Sequence, residues 1–307
     1  MTIPDLTLKD LTYIAAVAEH LSFSRAAEAC SVSQPALSKQ IKSVEKTLGT
    51  PLFERSKRHV LLTEAGNKLI PQIRKILSEA EILSQLTLTD QKPLSGLFRL
   101  GAIASSCPYL LPYFVGALSE SYPDLKLIIK EGLTDPLIED LKQGNLDAVI
   151  AATTFEADGL HAIPLFFEPF VLAFNPHHAR YSAKVSVSNI DTTQLLLLED
   201  GHCLKDQTLD ICAIQESNSL MSFKATSLET LLQMTAGGLG ISVIPKLAVP
   251  HSGLSETLTF SEFKNKKNGR TMALFYRQGY PLFKNMVLLA QFIQSSLSKS
   301  LLENQSG

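Results

Sequence analysis

Two of the chain's four cysteines, Cys203 and Cys212, stand nine positions apart in "LLLLEDGHCLKDQTLDIC", with His202 before the first and Lys205 and Asp206 just after it. A cysteine attacks only as its thiolate, and at the reference pKa of about 8.5 a thiol is mostly protonated at neutral pH. Positive neighbours shift that balance, and His202 and Lys205 are two such neighbours. A thiolate so placed can be oxidised reversibly to a sulfenic acid or can ligate a metal. An adjacent His202–Cys203 pair with Cys212 nine positions on matches no common zinc spacing, so no metal is expected. A further reading, in which both thiols are small buried hydrophobes, stays open on these residues alone.

The composition narrows the setting for that chemistry. A chain of 307 residues, 45% hydrophobic and 19% charged, is long enough for two or three domains with real cores and excludes global disorder. Its start, "MTIPDLTLKDLTYIAAVAEHL", lacks the basic and then apolar pattern of an export signal. No window approaches the roughly 18 uninterrupted apolar residues of a membrane span. A cytoplasmic protein with no membrane partner is expected, where most thiols stay reduced and a disulfide is catalytic or sensory rather than structural. No cofactor motif stands out. The net charge of −2 hides an asymmetry, because residues 31–60 carry Lys39, Lys42, Lys46, Arg55, Lys57 and Arg58 against only Glu45 and Glu54. That segment suits a polyanion.

The elements around it explain why. Leu8, Leu11, Ile14, Ala15 and Ala18 recur at helical steps, so a first helix is predicted to about His20. Ser22 caps a short second helix through "FSRAAEAC", and after "SVS" Ser33 caps a third, with Pro35 in its first turn. In the third helix Leu37, Ile41, Val44 and Leu48 share one face, while Pro35, Lys39, Lys42 and Lys46 share the other. Ser33, Gln34, Pro35 and Ser38 stand near its start, where a recognition helix meets base edges; Gln34 suits a bidentate contact to adenine and the lysines suit phosphates. "PLFERSKRHVLLTEAG" then reads as a hairpin wing carrying Arg55, Lys57 and Arg58. These are the parts of a winged helix-turn-helix that binds double-stranded DNA.

Over about 45 residues, "SFSRAAEACSVSQPALSKQIKSVEKTLGTPLFERSKRHVLLTEAG" resembles the N-terminal domain of LysR-type transcriptional regulators without a gap. The remainder fits the same family. A long helix from Thr63 carries Leu69, Ile73, Ile76, Leu77, Leu83 and Leu86 as an apolar strip suited to dimerisation, with a bend expected at Pro71 and "TDQKPLSG" as a hinge. From Leu97, strands alternate with helices in a βαβαβ series, which implies a parallel sheet with helices on both faces; a second series follows, and "RTMALFYRQG" with the C-terminal helix returns to the first lobe. The expected fold is α/β overall: a winged helix-turn-helix over 1–62, a linker helix over 63–92, and over 93–307 a two-lobed effector domain resembling periplasmic binding proteins. Lobe I takes 93–167 and 271–307, and lobe II takes 168–270.

"EDGHCLKDQTLDIC" with the later "FKATSLETL" is similar to the regulatory region of the peroxide-sensing branch of that family. The resemblance implies that Cys203 is the peroxide-reactive thiol and Cys212 the resolving one, with His202, Lys205 and Asp206 as polar neighbours. It implies pocket hydroxyls at Ser105, where the branch carries threonine, and at Thr134, although both also fit as caps of the helices that follow. It implies that Arg277 stands near the thiol, that the chain forms dimers and tetramers and meets RNA polymerase, that hydrogen peroxide is the signal, and that glutaredoxin or glutathione resets it. If the nine steps from Cys203 to Cys212 are helical, their Cα atoms lie some 13 Å apart, beyond the roughly 7 Å that a disulfide tolerates, so pairing requires refolding. Cys107 departs from the branch, which usually has glycine there, and leaves open a competing thiol; Cys30 reads as core. A second reading keeps the regulator but gives it a metabolite effector in the interlobe cleft, with incidental cysteines. A thiol peroxidase or a solute-binding protein is a third, and neither has a use for a basic recognition helix.

Overall fold

The computed structural model describes residues 5–55, 59–89, 93–153, 158–213 and 224–303. They divide into two compact units, Met1–Leu88 with Gln143–Asn145, and Thr89–Lys142 with Leu146–Gly307. In the first unit Thr7 and Asp10 close a capping box on α1 (Leu8–His20): the Asp10 amide donates to Thr7 Oγ1 at 3.2 Å, and the Thr7 amide donates to Asp10 Oδ2 at 2.9 Å. Ser22 caps α2 (Phe23–Ala29) and Ser33 caps α3 (Gln34–Leu48), their hydroxyls accepting from the Arg25 and Ala36 amides. Gly49 ends α3 at φ +71°, a left-handed conformation that glycine adopts without strain. Gln40 Nε2 of α3 donates to Asp10 Oδ1 at 2.8 Å and so ties the third helix to the first.

Leu37, Ile41 and Val44 bury one face of α3 in a core that also holds Ile14, Val17, Ala26, Leu52 and Phe53. Each Leu, Ile, Val or Phe side chain so removed from water contributes about 1.5–3 kcal/mol. The wing strands β1 (Phe53–Arg55) and β2 (Val60–Leu62) pair antiparallel, and Glu45 Oε1 of α3 accepts from the Leu52 and Phe53 amides at 2.9 and 3.3 Å. The long helix α4 (Glu64–Thr89) contains Pro71, as expected. Its strip divides: Ile70 and Ile73 enter the core with Leu69 and Leu77 packed against it, whereas Ile76 and Leu83 are 49% and 68% exposed. The first turns of the expected linker therefore belong to the first unit's core. The side chain of Leu86 and the hinge residues 90–92 lie outside the described residues.

The second unit begins with β3 (Gly96–Ile103), followed by α5 (Cys107–Leu110), α6 (Val115–Ser121), β4 (Leu125–Gly132), α7 (Thr134–Lys142) and β5 (Ala148–Ala152). β3 pairs parallel with both β4 and β5, as alternating strands and helices require. The chain continues through β6 (Leu160–Phe174), β7 (Lys184–Val185), β8 (Leu197–Leu198), α8 (Cys203–Cys212), β9 (Lys224–Ala225), α9 (Leu228–Ala236), β10 (Ser242–Pro245), β11 (Thr259–Phe263), β12 (Gly269–Arg277) and α10 (Phe283–Glu303). β6 joins the two halves: Leu160–Pro169 pairs with β12, and Phe170–Phe174 pairs with β10 and β11. All these β6 pairings are antiparallel, and so is that of β12 with β5. The sheet is thus mixed rather than wholly parallel, because one long strand serves both halves.

Candidate redox site and nucleic-acid interface

Cys203 is the first residue of α8 and is half-buried. Gly201, at φ +91°, turns the chain out of β8, and His202 takes the N-cap position with no side-chain cap. His202 Nε2 instead donates to the Thr226 carbonyl at 3.2 Å, which fixes the imidazole on the β9–α9 connection. Cys203 thereby stands at the positive end of the α8 dipole.

The cation beside it is Arg270. Its Nη1 lies 3.9 Å from Cys203 Sγ and donates to Ser105 Oγ at 2.8 Å, while Nη2 donates to the Ser105 carbonyl at 3.3 Å. Its Nε donates to Glu168 Oε2 at 2.6 Å, and the guanidinium lies over the Phe170 ring at 5.7 Å. Burial pushes the Glu168 carboxyl upward, and Arg270 pulls it the other way. A recess next to Cys203, closed in this state even to a molecule the size of water, is lined by Ala104, Ser105, Gly132, Thr134, Gly201 and His202, among others. It lies at the carboxyl ends of the parallel strands β3 and β4, where open α/β sheets hold ligands. Among the described residues, Thr134 Oγ1 and Ser106 Oγ are buried there or beside it with no hydrogen-bond partner. Metabolite-sized ligands occupy roughly 300–1,000 Å³, far more than this recess offers. A larger apolar groove of about 800 Å³, lined by Phe166, Phe167, Leu247 and Leu297 among others, does not include Cys203.

Of the residues singled out in sequence, Cys203, His202, Ser105 and Thr134 converge on this recess. The Lys205 ammonium is bound by the Asp200 carboxylate, and Asp206 is exposed. Arg277, expected near the thiol, is held elsewhere. Its Nη1 donates to the Leu141 and Leu146 carbonyls at 2.8 and 2.6 Å, and its guanidinium stacks on Tyr280. Arg270 and Arg277 are seven residues apart on β12, about 23 Å along a strand, one facing Glu168 and the other Leu160. The arginine at the start of the strand, not the one at its end, reaches the thiol. Arg270 and Glu168 are the residues that motif reading missed; the signal was present in "FEPF" and "NGRTM", but only the strand register aligns them.

Cys212 closes α8 at its other end, 7% exposed within the core that holds Leu204 and Leu231. Burial pushes its thiol up to about 11. Cys107, the first residue of α5 and 2% exposed, is pushed up to about 12, by burial first and then by Glu131. Burial also raises the thiol of Cys30. All four cysteines are free. Among the described residues no group of three His, Cys, Asp or Glu side chains is placed to hold a metal ion, and no helix is long and apolar enough to cross a membrane.

In the first unit Ser33, Gln34, Pro35, Lys39, Lys42 and Lys46 are exposed on α3, and Ser38 is half-buried. The cationic face is opposite the face that carries Leu37 and Ile41. The side chain of Arg55, and Lys57 and Arg58 entirely, lie outside the described residues.

Residues 8–67 match the family described as bacterial regulatory helix-turn-helix protein, lysR family, and residues 91–298 match the LysR substrate binding domain. A hydrogen peroxide-inducible genes activator from Haemophilus influenzae is 37% identical, over 97% of this chain and 99% of the relative. The structure of a full-length OxyR cysteine-to-aspartate variant from Pseudomonas aeruginosa is similar with a TM-score of 0.78 and 34% identity, covering 94% of this chain and 95% of that one. A hydrogen peroxide-bound OxyR cysteine-to-serine mutant from Corynebacterium glutamicum has a TM-score of 0.66 and 31% identity over 99% and 96% of the two chains. A capped three-helix reader with a wing, followed by a mixed α/β domain, is what those family matches describe, and the chain belongs to the LysR family of bacterial transcription regulators.

Proposed function

We propose that this chain is a cytoplasmic, DNA-binding transcription regulator that senses hydrogen peroxide through Cys203 and records it as a Cys203–Cys212 disulfide. The observation that carries the reading is the site itself: Cys203 begins a helix, 3.9 Å from the Arg270 guanidinium, beside a recess too small for a metabolite. The Cys203 thiolate attacks one peroxide oxygen, an S–O bond forms, the O–O bond breaks, and the departing hydroxide takes a proton to leave as water. Sulfur is oxidised by two electrons and peroxide is reduced. The guanidinium and the Ser105 and Thr134 hydroxyls are the groups that can hold the oxidant in line and stabilise charge on the departing oxygen.

The Cys212 thiol then displaces hydroxide from the sulfenic acid, releasing a second water and leaving the disulfide. Cys203 and Cys212 are at opposite ends of α8, so this step follows its unwinding. The remodelled segment alters how effector domains pair, in a dimer or tetramer, and so how the α3 helices meet operator DNA and RNA polymerase. A glutathione- or glutaredoxin-type reductant restores the thiols. The oxidised chain is the signal, so peroxide is consumed stoichiometrically rather than in turnover.

Titration of the reduced full chain with stoichiometric hydrogen peroxide, followed by thiol counting, tests this. Loss of two of the four thiols per chain is expected. No loss below millimolar peroxide would favour the metabolite-responsive regulator, and repeated consumption with thioredoxin present would favour a peroxidase.

A further inference from the structure

We propose that Glu168 is the positioning residue that holds Arg270 in the orientation in which its guanidinium serves Cys203. The inference rests on the peroxide reading above. Glu168 and Arg270 are direct partners across β6 and β12, two residues before β6 exchanges β12 for β10 and β11 as its neighbours. Both are almost fully buried, at 2% and 3% exposure. Glu168 Oε2 takes the Nε edge of the guanidinium, at 2.6 Å, and the two Nη groups are left for Ser105 and the thiol.

The division of contacts argues for a role beyond packing. A carboxylate buried for stability meets its partner with both oxygens satisfied, since an unpaired buried oxygen is costly. Here Oε1 of Glu168 has no partner among the described residues. A side-on bidentate pair through Nε and Nη2 would take Nη2 from the Ser105 carbonyl, and an end-on pair would take both Nη groups and so the one beside Cys203. The one-point contact instead pins the guanidinium at Nε, with Phe170 over its face and Ser105 at the far edge. Glu168 touches neither thiol nor peroxide, so its effect passes through Arg270. During attack, negative charge starts on sulfur and ends on the departing oxygen as the S–O bond forms and the O–O bond breaks. A guanidinium held beforehand along that line stabilises the charge without reorganising.

The test uses the reduced full-length chain and follows Cys203 alone, by rapid quench and peptide mass spectrometry. Its rates with hydrogen peroxide and with iodoacetamide are measured from about pH 5 to 9 for wild type, Glu168→Gln, Glu168→Asp, Arg270→Gln and the Glu168→Gln/Arg270→Gln double variant. Iodoacetamide reports the thiolate, whereas peroxide needs both the thiolate and the placed guanidinium. For Glu168→Gln the alkylation midpoint should hold or move to lower pH, because a negative charge is lost, while the peroxide plateau falls about tenfold or more. In the Arg270→Gln background the same change should lower the peroxide rate no further.

A wild-type peroxide plateau in Glu168→Gln, or an equal loss with both reagents that persists in the Arg270→Gln background, would overturn the inference. Should Glu168→Gln fail to fold, Glu168→Asp keeps the charge with a shorter reach, and its plateau should fall severalfold at an unchanged midpoint; an unchanged plateau there is contrary. A wild-type Cys203 that does not react with peroxide at all removes the underlying reading as well.

Discussion

Cys203 and Cys212 are the first and last residues of one helix, α8, and nine residues of helical rise separate their Cα atoms by about 13 Å. A disulfide tolerates at most about 7 Å. On the proposed mechanism the helix is a mechanical gate between two oxidation states, and its stability enters the redox equilibrium directly. Ala213 ends α8 in the left-handed conformation, at φ +52°, which costs a non-glycine residue about 1–2 kcal/mol.

Ala213→Gly relieves that strain, and the greater freedom of glycine in the unwound segment offsets part of the gain, leaving a net stabilisation of α8 of about 0.5–1 kcal/mol. Because the reduced form is the one stabilised, the reduction potential should rise by about 10–20 mV. Equilibration against glutathione buffers checks this, and a fall in potential would show that α8 does not oppose the bond.

Cys107 should be a bystander. Its thiol is buried and pushed up to about 12, so almost none is thiolate at neutral pH. Cys107→Ser should leave the loss of thiols on peroxide treatment unchanged, and in the folded reduced chain Cys107 should be alkylated far more slowly than Cys203. Mixed disulfides to Cys107 in a peptide map would contradict this.

Asp10 predicts an acid-sensitive first unit. Burial opposes its ionisation, yet hydrogen bonds from Thr7 and Gln40, with the charge of Lys9, carry its carboxyl below the usual 3.8. A depressed folded-state pKa adds stability above the unfolded value, about 3.9, and that contribution is lost as pH falls through the folded value. Asp10→Asn should cost about 1 kcal/mol at neutral pH, and the cost should shrink as pH falls below the unfolded value of about 3.9. Thermal melts against pH check it; a pH-independent cost would point to packing rather than charge.

The two kinds of exposed residue on α3 should separate in DNA binding. Lys42→Ala should weaken binding at every sequence and lower the salt slope by about one, as for a lost phosphate contact. Gln34→Ala should cost about 1–3 kcal/mol at one base position and relax preference there. Equal loss of specificity in both variants would reverse the assignment of these residues.

The DNA-binding unit was largely legible because its signals are local. Ser22, Ser33, Pro35 and Gly49 punctuate helices within a few residues, and Leu37, Ile41 and Val44 mark the buried face by period alone. Cys203, His202 and the thiol spacing were readable for the same reason. Arg270 was not, because its role depends on a strand register that brings it opposite Glu168, 102 residues away, and on a loop residue, Ser105, that is 165 residues away. Two arginines on one strand look alike in sequence; only the pairing of β12 with β6 separates them. The mixed sheet escaped similarly, since β6 reads as one apolar run and nothing local shows that its two ends take different partners. The apolar strip of α4 likewise does not announce which of its residues, Ile73 or Ile76, meets a core.

The most direct measurement is a non-reducing peptide map of the full chain after brief exposure to stoichiometric hydrogen peroxide, read beside DNA binding of the same sample. A linked pair of peptides carrying Cys203 and Cys212, appearing together with the change in DNA binding, is the predicted result. Peptides in which both sulfurs remain free while DNA binding still answers peroxide would contradict the account.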